Sequence, residues 1–503
     1  MVRALAHRQR ALIVLAFFLG TWLLGSVYAY ASPVGTSPDE PDHWSYAYAL
    51  HTGQDASDGL LEVPYSLAVN PSACIAWRPD LNAKCVPIIT ENRDVVTVRT
   101  ALTGAPELYY QLIGWPLTQW PDERGILISR VISALVSALL WTVAVLPWTD
   151  RRSWLVRLAV IMSVAPAALY FSGTVQPSGM EIAAFAALWS LGFVVFRRLR
   201  RAPYHSLPAW IQVAWPALIM LTIFIRMASA WFVAVVLLVV WIWSAVPIRE
   251  LLRDRRMMVA ALFVLGAAAL RALSFVMERG SDVIGDTDLP PADRSPIRMV
   301  ISTIMRLSGE PDRAIGLLGW MDTHVPSMGT VYWFLIAGGI VFLAAPFVRR
   351  RELVTIAALF GLLAATAFAL DIGVQKATGR GMWQPRYGFP IWLGAPILMA
   401  AIHAAATARR RVDFVPVLRW GCALGLVAMH VLSVGFLMAR YMYGITGGGI
   451  GRLGWTPYAP TTLVTGIVIL AAILIGLAVL LPGSGRSTAE RRMAENPPAE
   501  PAA

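Results

Sequence analysis

The chain has 503 residues, of which 57% are hydrophobic and only 14% are charged. Soluble globular proteins average about 25% charged residues, so this composition excludes a soluble enzyme or binding module. The mean hydropathy of +0.60 and the formal net charge of +12 indicate a membrane protein whose basic residues report its topology. No motif suggests a nucleic-acid partner.

Apolar runs of about 20 residues, the length that crosses a bilayer, recur from one end of the chain to the other. They predict an all-α integral membrane protein with about twelve transmembrane helices. The predicted spans are 12–30, 126–148, 154–171, 179–196, 209–225, 231–246, 257–277, 330–348, 353–370, 389–406, 416–438 and 461–481. We interpret 1–482 as one polytopic domain and the Pro-, Ala- and Glu-rich segment 483–503 as a disordered cytoplasmic tail.

Clusters of arginine predict the orientation of the chain in the bilayer. Examples are Arg8 and Arg10 before the first span, and the runs 349–351 and 409–411 between later spans. All clusters fall on one side when twelve spans are counted, and the positive-inside rule places that side, with both termini, in the cytoplasm. The segment 31–124 then becomes a large first extracytoplasmic loop. It is acidic, with twelve Asp and Glu residues against five Lys and Arg residues.

Two of the three cysteines, Cys74 and Cys85, lie in this loop, and the third, Cys422, lies in an apolar span. An oxidising compartment outside the membrane permits a disulfide between the first two. Two free thiols are the alternative. Zinc is a poor explanation because no second Cys or His pair stands nearby at ligand spacing.

The sequence Ser-Pro-Asp-Glu-Pro-Asp-His-Trp begins at Ser37, directly after the first span. One interpretation is purely structural: Ser37 caps a helix, and Glu40 three residues later completes a capping box. That interpretation leaves Asp39, Asp42 and His43 unexplained.

On a helix, Asp39 and His43 share a face, as do Glu40 and His43. Two carboxylates and an imidazole at the membrane exit could hold a divalent cation such as Mg²⁺ or Mn²⁺, or place a general base beside a lipid headgroup. Asp39, Glu40 and His43 are therefore the predicted catalytic residues and candidate metal ligands. A helix cap alone is the alternative.

Charged residues near the outer ends of later spans are candidates for substrate binding. Glu181 stands just inside an apolar span, where a carboxylate is costly and is either paired or functional. It could pair with an external arginine or bind a sugar hydroxyl. Arg386 and Arg380 could bind a phosphate, because a guanidinium forms two parallel hydrogen bonds to two phosphate oxygens. Snorkelling to the membrane interface is the alternative for both arginines.

Trp320 and Asp322 lie in an external segment before the eighth predicted span. Trp320 suits either an aromatic belt at the membrane surface or a platform on which a sugar ring stacks. Asp322 could bind a donor or acceptor hydroxyl, or cap the next turn.

Four short motifs occur in order along the chain. They are Pro-Asp-Glu-x-x-His from Pro38, Pro-Ser-Gly-x-Glu from Pro177, Gly-Trp-x-Asp from Gly319 and Arg-Tyr-x-x-Pro from Arg386. Together they resemble the bacterial polytopic membrane family known as domain-of-unknown-function family 2142, over nearly the whole chain from residue 12 to about 481. That family is similar in architecture to the type-C (GT-C) glycosyltransferases.

This resemblance implies a multi-pass enzyme of the bacterial plasma membrane. It would move a sugar from a polyprenyl-phosphate donor to a cell-envelope glycan acceptor on the outer face. By position, Asp39 matches the acidic residue that serves as base or metal contact in the GT-C superfamily, with Glu40 as the nearest substitute. Arg386 and Tyr387 fall on the Arg-Tyr motif and become candidates for substrate binding.

Two further classes of function stay open at this stage. One is a transporter or flippase of lipid-linked envelope precursors, which would bury ionisable pairs near the membrane midplane. The other is a non-catalytic scaffold for envelope assembly, whose first loop would bind partner proteins. Neither explains an acidic cluster with a histidine at the membrane exit as directly as an enzyme does.

Overall fold

The computed structural model describes residues 2–102, 104–150, 153–278, 295–378, 381, 383–407, 416–445 and 456–481. The predicted tail 483–503 and Arg380 lie outside these residues. The helices are α1 Val2–Ala31, α2 Glu40–His51, α3 Tyr65–Ala68, α4 Leu108–Ile113, α5 Trp115–Gln119, α6 Glu123–Val145, α7 Trp154–Met162, α8 Pro166–Ser172, α9 Pro177–Leu199, α10 Ala209–Ile223, α11 Ser229–Ser244, α12 Ile248–Arg253, α13 Arg255–Glu278, α14 Pro296–Ser308, α15 Glu310–Gly316, α16 Ser327–Ala344, α17 Arg350–Thr378, α18 Pro385–Trp392, α19 Gly394–Ala406, α20 Pro416–Tyr443 and α21 Thr461–Leu480. The strands are β1 Leu60–Pro64, β2 Val95–Arg99, β3 Leu317–Leu318 and β4 Thr323–His324.

The predicted all-α membrane fold is confirmed, whereas the predicted count of about twelve spans is not. Within the described ranges, eight helices are long and apolar enough to cross a membrane. The count rises to nine if α7 and α8, which are bent by 62° at their junction, form one broken span.

The difference in the count has a physical reason. All twelve predicted segments are helical, but α10 and α11 have only 15 and 16 residues, and a helix needs about 20 residues to cross a bilayer. Hydropathy alone cannot distinguish a short apolar helix, or a helix broken before Pro166, from a complete span. The 24-residue helix α13 contains the predicted span 257–277, but it is not one of the eight helices that are long and apolar enough to cross a membrane.

Helix α9 lies at the centre of the bundle. It packs against α6, α8, α10, α11 and α19, and 94% of its apolar window is buried within the protein. A helix that is apolar on every side belongs in such an interior position. The first and last spans, α1 and α21, pack against each other, and α1 also packs against α6.

The segment 31–124 folds into a small unit of helices α2–α5 with one two-stranded sheet, in which β1 pairs antiparallel with β2. A disulfide joins Cys74 to Cys85 within it. Arg440 of α20 holds this part of the loop by donating hydrogen bonds to three backbone carbonyls, at 2.9–3.3 Å. The acceptors are the carbonyl oxygens of Ile75, Arg78 and Leu81.

Candidate functional site

Glu40 forms a fully buried ion pair with Arg130 of α6. Both side chains are completely inaccessible to solvent. The guanidinium binds both carboxylate oxygens, with Nε 2.8 Å from Oε1 and Nη2 2.7 Å from Oε2. The backbone N–H groups of Val175 and Gly35 also donate to the carboxylate, at 2.9 and 3.0 Å. Because both oxygens are occupied, the geometry does not fit the predicted role of Glu40 as a base or metal ligand.

The remaining donors of Arg130 bind backbone carbonyls where α1 ends. Nη1 donates to the carbonyls of Ala29 and Ser32 at 3.0 Å, and Nη2 donates to that of Pro33 at 2.9 Å. The ion pair therefore fixes the end of α1, the start of α2 and helix α6 to one another. Its role here is structural.

Asp39 precedes the first residue of α2 and has a left-handed backbone conformation, with φ 61°. That conformation is uncommon for residues other than glycine. It turns the carboxylate away from that of Glu40, and 53% of the side chain is exposed. The predicted capping box is wrong, because Asp39 rather than Ser37 occupies the N-cap and no side chain caps the helix.

Arg386, in the first turn of α18, is the partner of Asp39. Its Nη2 lies 3.3 Å from Oδ2 of Asp39, and only 3% of the arginine side chain is exposed. The guanidinium lies over the rings of Tyr387 and Phe171, with Cζ 5.3 and 5.9 Å from their centres. Its Nε and Nη1 have no hydrogen-bond partner among the described residues. These two nitrogen atoms carry three N–H groups, and a buried guanidinium with N–H groups to spare can bind an anion.

A second arginine approaches the same tyrosine. Arg226 lies over the ring of Tyr387, with Cζ 4.9 Å from its centre. Its Nη1 pairs with Oε2 of Glu181 at 2.8 Å, and the hydroxyl of Ser229 donates to the other carboxylate oxygen at 2.6 Å. Tyr387 thus contacts both guanidinium groups. Glu181 forms the ion pair that the sequence offered as one alternative.

His43 packs beside this site with its ring stacked on Tyr110. The distance from Nδ1 to the tyrosine hydroxyl is 2.9 Å. Burial, together with the positive charges of Arg386 and Arg226, holds the pKa of His43 well below its usual range. The imidazole is therefore neutral near pH 7, and its contact with the Tyr110 hydroxyl is a hydrogen bond between two neutral groups.

The three candidate metal ligands do not converge. Asp39 contacts Arg386, Glu40 contacts Arg130, and the Nδ1 atom of His43 contacts Tyr110. Over the part of the chain that the structure describes, no group of three or more His, Cys, Asp or Glu side chains could hold a metal ion. The predicted Mg²⁺ or Mn²⁺ site therefore does not fit this arrangement of residues.

The second carboxylate near Asp39 is Asp42. Burial and the neighbouring charge of Asp39 raise the pKa of Asp42 to about 6. The two acids are three residues apart at the start of α2, close enough for the charge of Asp39 to act on Asp42. The sequence left Asp42 unexplained by a helix cap, but we predicted Glu40, and not Asp42, as the second catalytic carboxylate. The three-residue spacing between Asp39 and Asp42 was the signal that could have identified Asp42.

Three helices begin around Asp39. They are α2, α9 and α18. Gln176, which precedes α9, donates from Nε2 to the carbonyl of Pro38 at 2.9 Å, and Arg386 of α18 reaches Asp39 itself. Helix N-termini carry partial positive charge and free N–H groups, which suit an anion. The buried hydroxyl of Ser178, in the first turn of α9, has no partner among the residues described.

Trp320 and Asp322 lie on the β3–β4 turn and contact the external loop rather than Arg386. The indole of Trp320 donates to the carbonyl of Gly35 at 2.9 Å. Asp322 is buried, its Oδ2 lies 3.7 Å from Nη2 of Arg440, and burial raises its pKa. Asp322 therefore supports the arginine that holds the loop. Trp320 covers the segment just before Asp39.

Glu310, the first residue of α15, lies against the start of α18. Its Oε2 accepts a hydrogen bond from the Trp383 indole at 2.8 Å, and its Oε1 has no partner within the described ranges. A Cβ atom at position 388 would overlap Oε1, so any side chain there would displace the Glu310 carboxylate. Burial raises the pKa of Glu310 to about 7.

We expect Glu310→Gln to stabilise the protein at pH 8.5 and to stabilise it clearly less at pH 5.5. The pKa of Glu310 is higher in the folded than in the unfolded protein, so the folded state is progressively destabilised as pH rises from about 4.5 to about 7. Glutamine keeps the acceptor for Trp383 and carries no charge. Thermal unfolding in detergent at the two pH values measures the effect. An equal change in Tm at both values would contradict it.

Comparison with known proteins places the chain in a family. No curated protein and no solved structure matches it significantly. The family described as a predicted membrane protein (DUF2142) matches residues 22–395. The match contains Asp39, Glu181, Arg226 and Arg386, so the whole candidate site falls within it. The chain therefore belongs to domain-of-unknown-function family 2142.

Proposed function

We propose that this membrane protein is a glycosyltransferase that moves a sugar from a polyprenyl-phosphate donor to a cell-envelope glycan acceptor. One observation carries the proposal: the exposed carboxylate of Asp39 lies beside the buried guanidinium of Arg386, whose Nε and Nη1 have no partner among the described residues. A general base and an anion-binding group are thus adjacent. The ends of α1 and α9 that lie away from the site carry Arg8, Arg197 and Arg198, so the positive-inside rule supports an external site in a bacterial plasma membrane, with the N-terminus in the cytoplasm.

The reaction uses these two groups in one displacement. The acceptor hydroxyl oxygen forms a bond to the anomeric carbon of the donor sugar while Asp39 takes up the hydroxyl proton. The bond between that carbon and the phosphate oxygen breaks, and the polyprenyl phosphate leaves with the electron pair. Arg386 binds the phosphate oxygens as their charge increases. Donor phosphate also competes with Asp39 for Arg386, which frees the carboxylate to act as base.

A lipid-linked donor is supported by α14, which is connected through Asp371 of α17 to the segment just before α18. Its polar side is fixed by Asp371 of α17, which accepts hydrogen bonds from Thr303 at 2.6 Å and from Arg306 at 2.9 Å. The same carboxylate accepts from the backbone N–H of Trp383, just before α18. The opposite side of α14 exposes an apolar stripe at helical spacing. Its members are Ile297, Ile301, Ile304 and Met305, each 50–71% exposed.

This amphipathic helix suits the membrane surface, where its apolar stripe contacts acyl or prenyl chains. A soluble nucleotide-sugar donor would have no use for an exposed apolar surface on a helix that is connected to the start of α18. The apolar stripe of α14 therefore favours a donor whose phosphate carries a prenyl tail.

Arg386→Gln should weaken binding of a polyprenyl-phosphate sugar by about tenfold or more, because hydrogen bonds to charged groups contribute about 1.5–3 kcal/mol each. Titration of the purified protein in detergent measures this affinity. Arg298→Gln is the control, since Arg298 is an exposed arginine of α14. Equal affinities of the Arg386 variant and the wild type would contradict the phosphate-binding role.

The function itself is tested by profiling lipid-linked sugars and envelope glycans in a deletion strain. We expect the unused donor to accumulate, one sugar to disappear from the envelope, and the wild-type gene to restore both. A purified protein that moves the carrier lipid across vesicles without forming a glycosidic bond would contradict the proposal and indicate a flippase. Unchanged lipid and glycan profiles would favour a scaffold.

A further inference from the structure

A cavity of about 820 Å³ lies at the membrane face opposite the candidate site. Helix α9 begins at Pro177, beside the Asp39 loop, and its last residue, Leu199, lines this cavity. Its 23 residues span about 35 Å, roughly the thickness of the bilayer. The other walls come from 200–205, from the end of α11, and from α12 and the start of α13.

The cavity is strongly basic. The arginines in its lining are Arg200, Arg201, Arg253, Arg255 and Arg256, and the acids are Glu250 and Asp254. The two acids are already engaged: Glu250 pairs with Arg253 at 3.4 Å, and Asp254 accepts hydrogen bonds from backbone N–H groups and lies near His205. No acidic side chain of the described residues forms an ion pair with Arg200, Arg201 or Arg255. The cavity therefore has an uncompensated positive charge.

An apolar groove of about 660 Å³ continues from the cavity along the protein surface. It runs between α10 and α13, and it shares Tyr204, Arg255 and Arg256 with the cavity. Its walls include Val213 and Phe263, whose side chains are 69% and 62% exposed. A basic cavity is thus joined through two arginines to an apolar channel that opens on the side of the bundle.

We propose that this cavity and groove form a binding site for an anionic phospholipid, whose phosphate headgroup lies in the cavity and one of whose acyl chains lies in the groove. A free anion would use only the basic part, whereas the groove needs an apolar occupant because its large hydrophobic side chains are uncovered. Basic pockets between transmembrane helices bind acidic headgroups in this way.

The length of α10 supports the same occupant. Its 15 residues reach about 22 Å, less than the roughly 30 Å of the hydrocarbon layer. A lipid held against α10 and α13 would cover the apolar surface that this short helix leaves at the membrane boundary. Arginines that only fix the orientation of the chain in the membrane do not need to line a cavity. Arg249 is an example, because its side chain is 75% exposed and lies outside the cavity.

The test uses native mass spectrometry of the purified full-length protein with equal amounts of phosphatidylglycerol and phosphatidylcholine. We expect the wild type to retain phosphatidylglycerol about tenfold more than phosphatidylcholine, because the excess arginines of the cavity attract an anionic headgroup. The double variant Arg255→Gln/Arg256→Gln should lose this preference. The charge-matched control Arg8→Gln/Arg249→Gln removes two exposed arginines on the same face and should keep it.

The groove is tested with a second matched pair. Ala260→Phe places a ring in the groove and should also reduce retention, whereas Ala261→Phe, at an exposed neighbour outside the groove, should not. Equal retention by the two arginine double variants would overturn the proposal. So would displacement of the lipid by inorganic phosphate together with unchanged retention in Ala260→Phe, because the site would then bind a free anion.

Discussion

Replacing Arg130 by methionine should destabilise the protein by about 3–5 kcal/mol, because it leaves a buried carboxylate without its counter-charge. Glu40 is fully inaccessible and would retain only the backbone N–H donors of Gly35 and Val175. The three carbonyls that Arg130 binds at the end of α1 would also lose a donor. The effect is measured as a fall in Tm during thermal unfolding in detergent.

A double-mutant cycle separates the ion pair from general packing. Combining Arg130→Met with Glu40→Gln removes the uncompensated charge, so the double variant should be more stable than the sum of the two single effects implies. Arg124→Met in the same helix is the matched control: its side chain is 65% exposed and its loss should change Tm little. A similar fall in Tm for Arg130→Met and Arg124→Met would show that the buried ion pair contributes no more to stability than an exposed arginine does.

Asp39→Asn should reduce glycosyl transfer by about 10²–10⁴-fold, the usual contribution of a general base. Asparagine has the same shape and tolerates the left-handed backbone at this position, so the helix start is retained. The Asp39 side chain is half exposed, and among the described residues its ion pair is with Arg386. The Tm of the variant should therefore stay close to that of the wild type. Transfer of labelled sugar from a polyprenyl-phosphate donor gives the rate.

Two controls define what the loss of activity means. Glu62→Gln neutralises an exposed acid of β1 in the same external unit and should leave the rate unchanged. Asp42→Asn removes the second carboxylate near Asp39 and should alter the pH profile near pH 6 while retaining transfer, because Asp42 is not the proposed base. If Asp42→Asn abolished transfer and Asp39→Asn did not, the base would be Asp42 instead.

The helices were predictable from the sequence because their signal is local. Every predicted span became helical, since each run is apolar over most of its length. Whether a helix crosses the bilayer also depends on where the folded chain begins and ends that helix. Hydropathy does not report these boundaries. Helices α10 and α11 were therefore counted as spans, although the structure leaves them at 15 and 16 residues.

The site was only partly predictable, because its contacts join residues far apart in the chain. Asp39 and Glu40 are neighbours, and we predicted a catalytic role for both of them from the sequence. The left-handed backbone at Asp39 sends the two carboxylates to different arginines, Arg386 and Arg130. Nothing local in the sequence assigns Arg130 to an acid 90 residues earlier. Arg386 was identified because it lies near the outer end of a predicted span and within a recognisable motif.

The way Arg440 holds the external loop has a consequence for how that loop can vary. Its three acceptors are the backbone carbonyls of Ile75, Arg78 and Leu81. Every amino acid supplies the same carbonyl, so side-chain substitutions at these positions leave the attachment in place. The outer surface of this protein can therefore change its chemical character, and with it the molecules that it meets, without moving relative to the helices that support it.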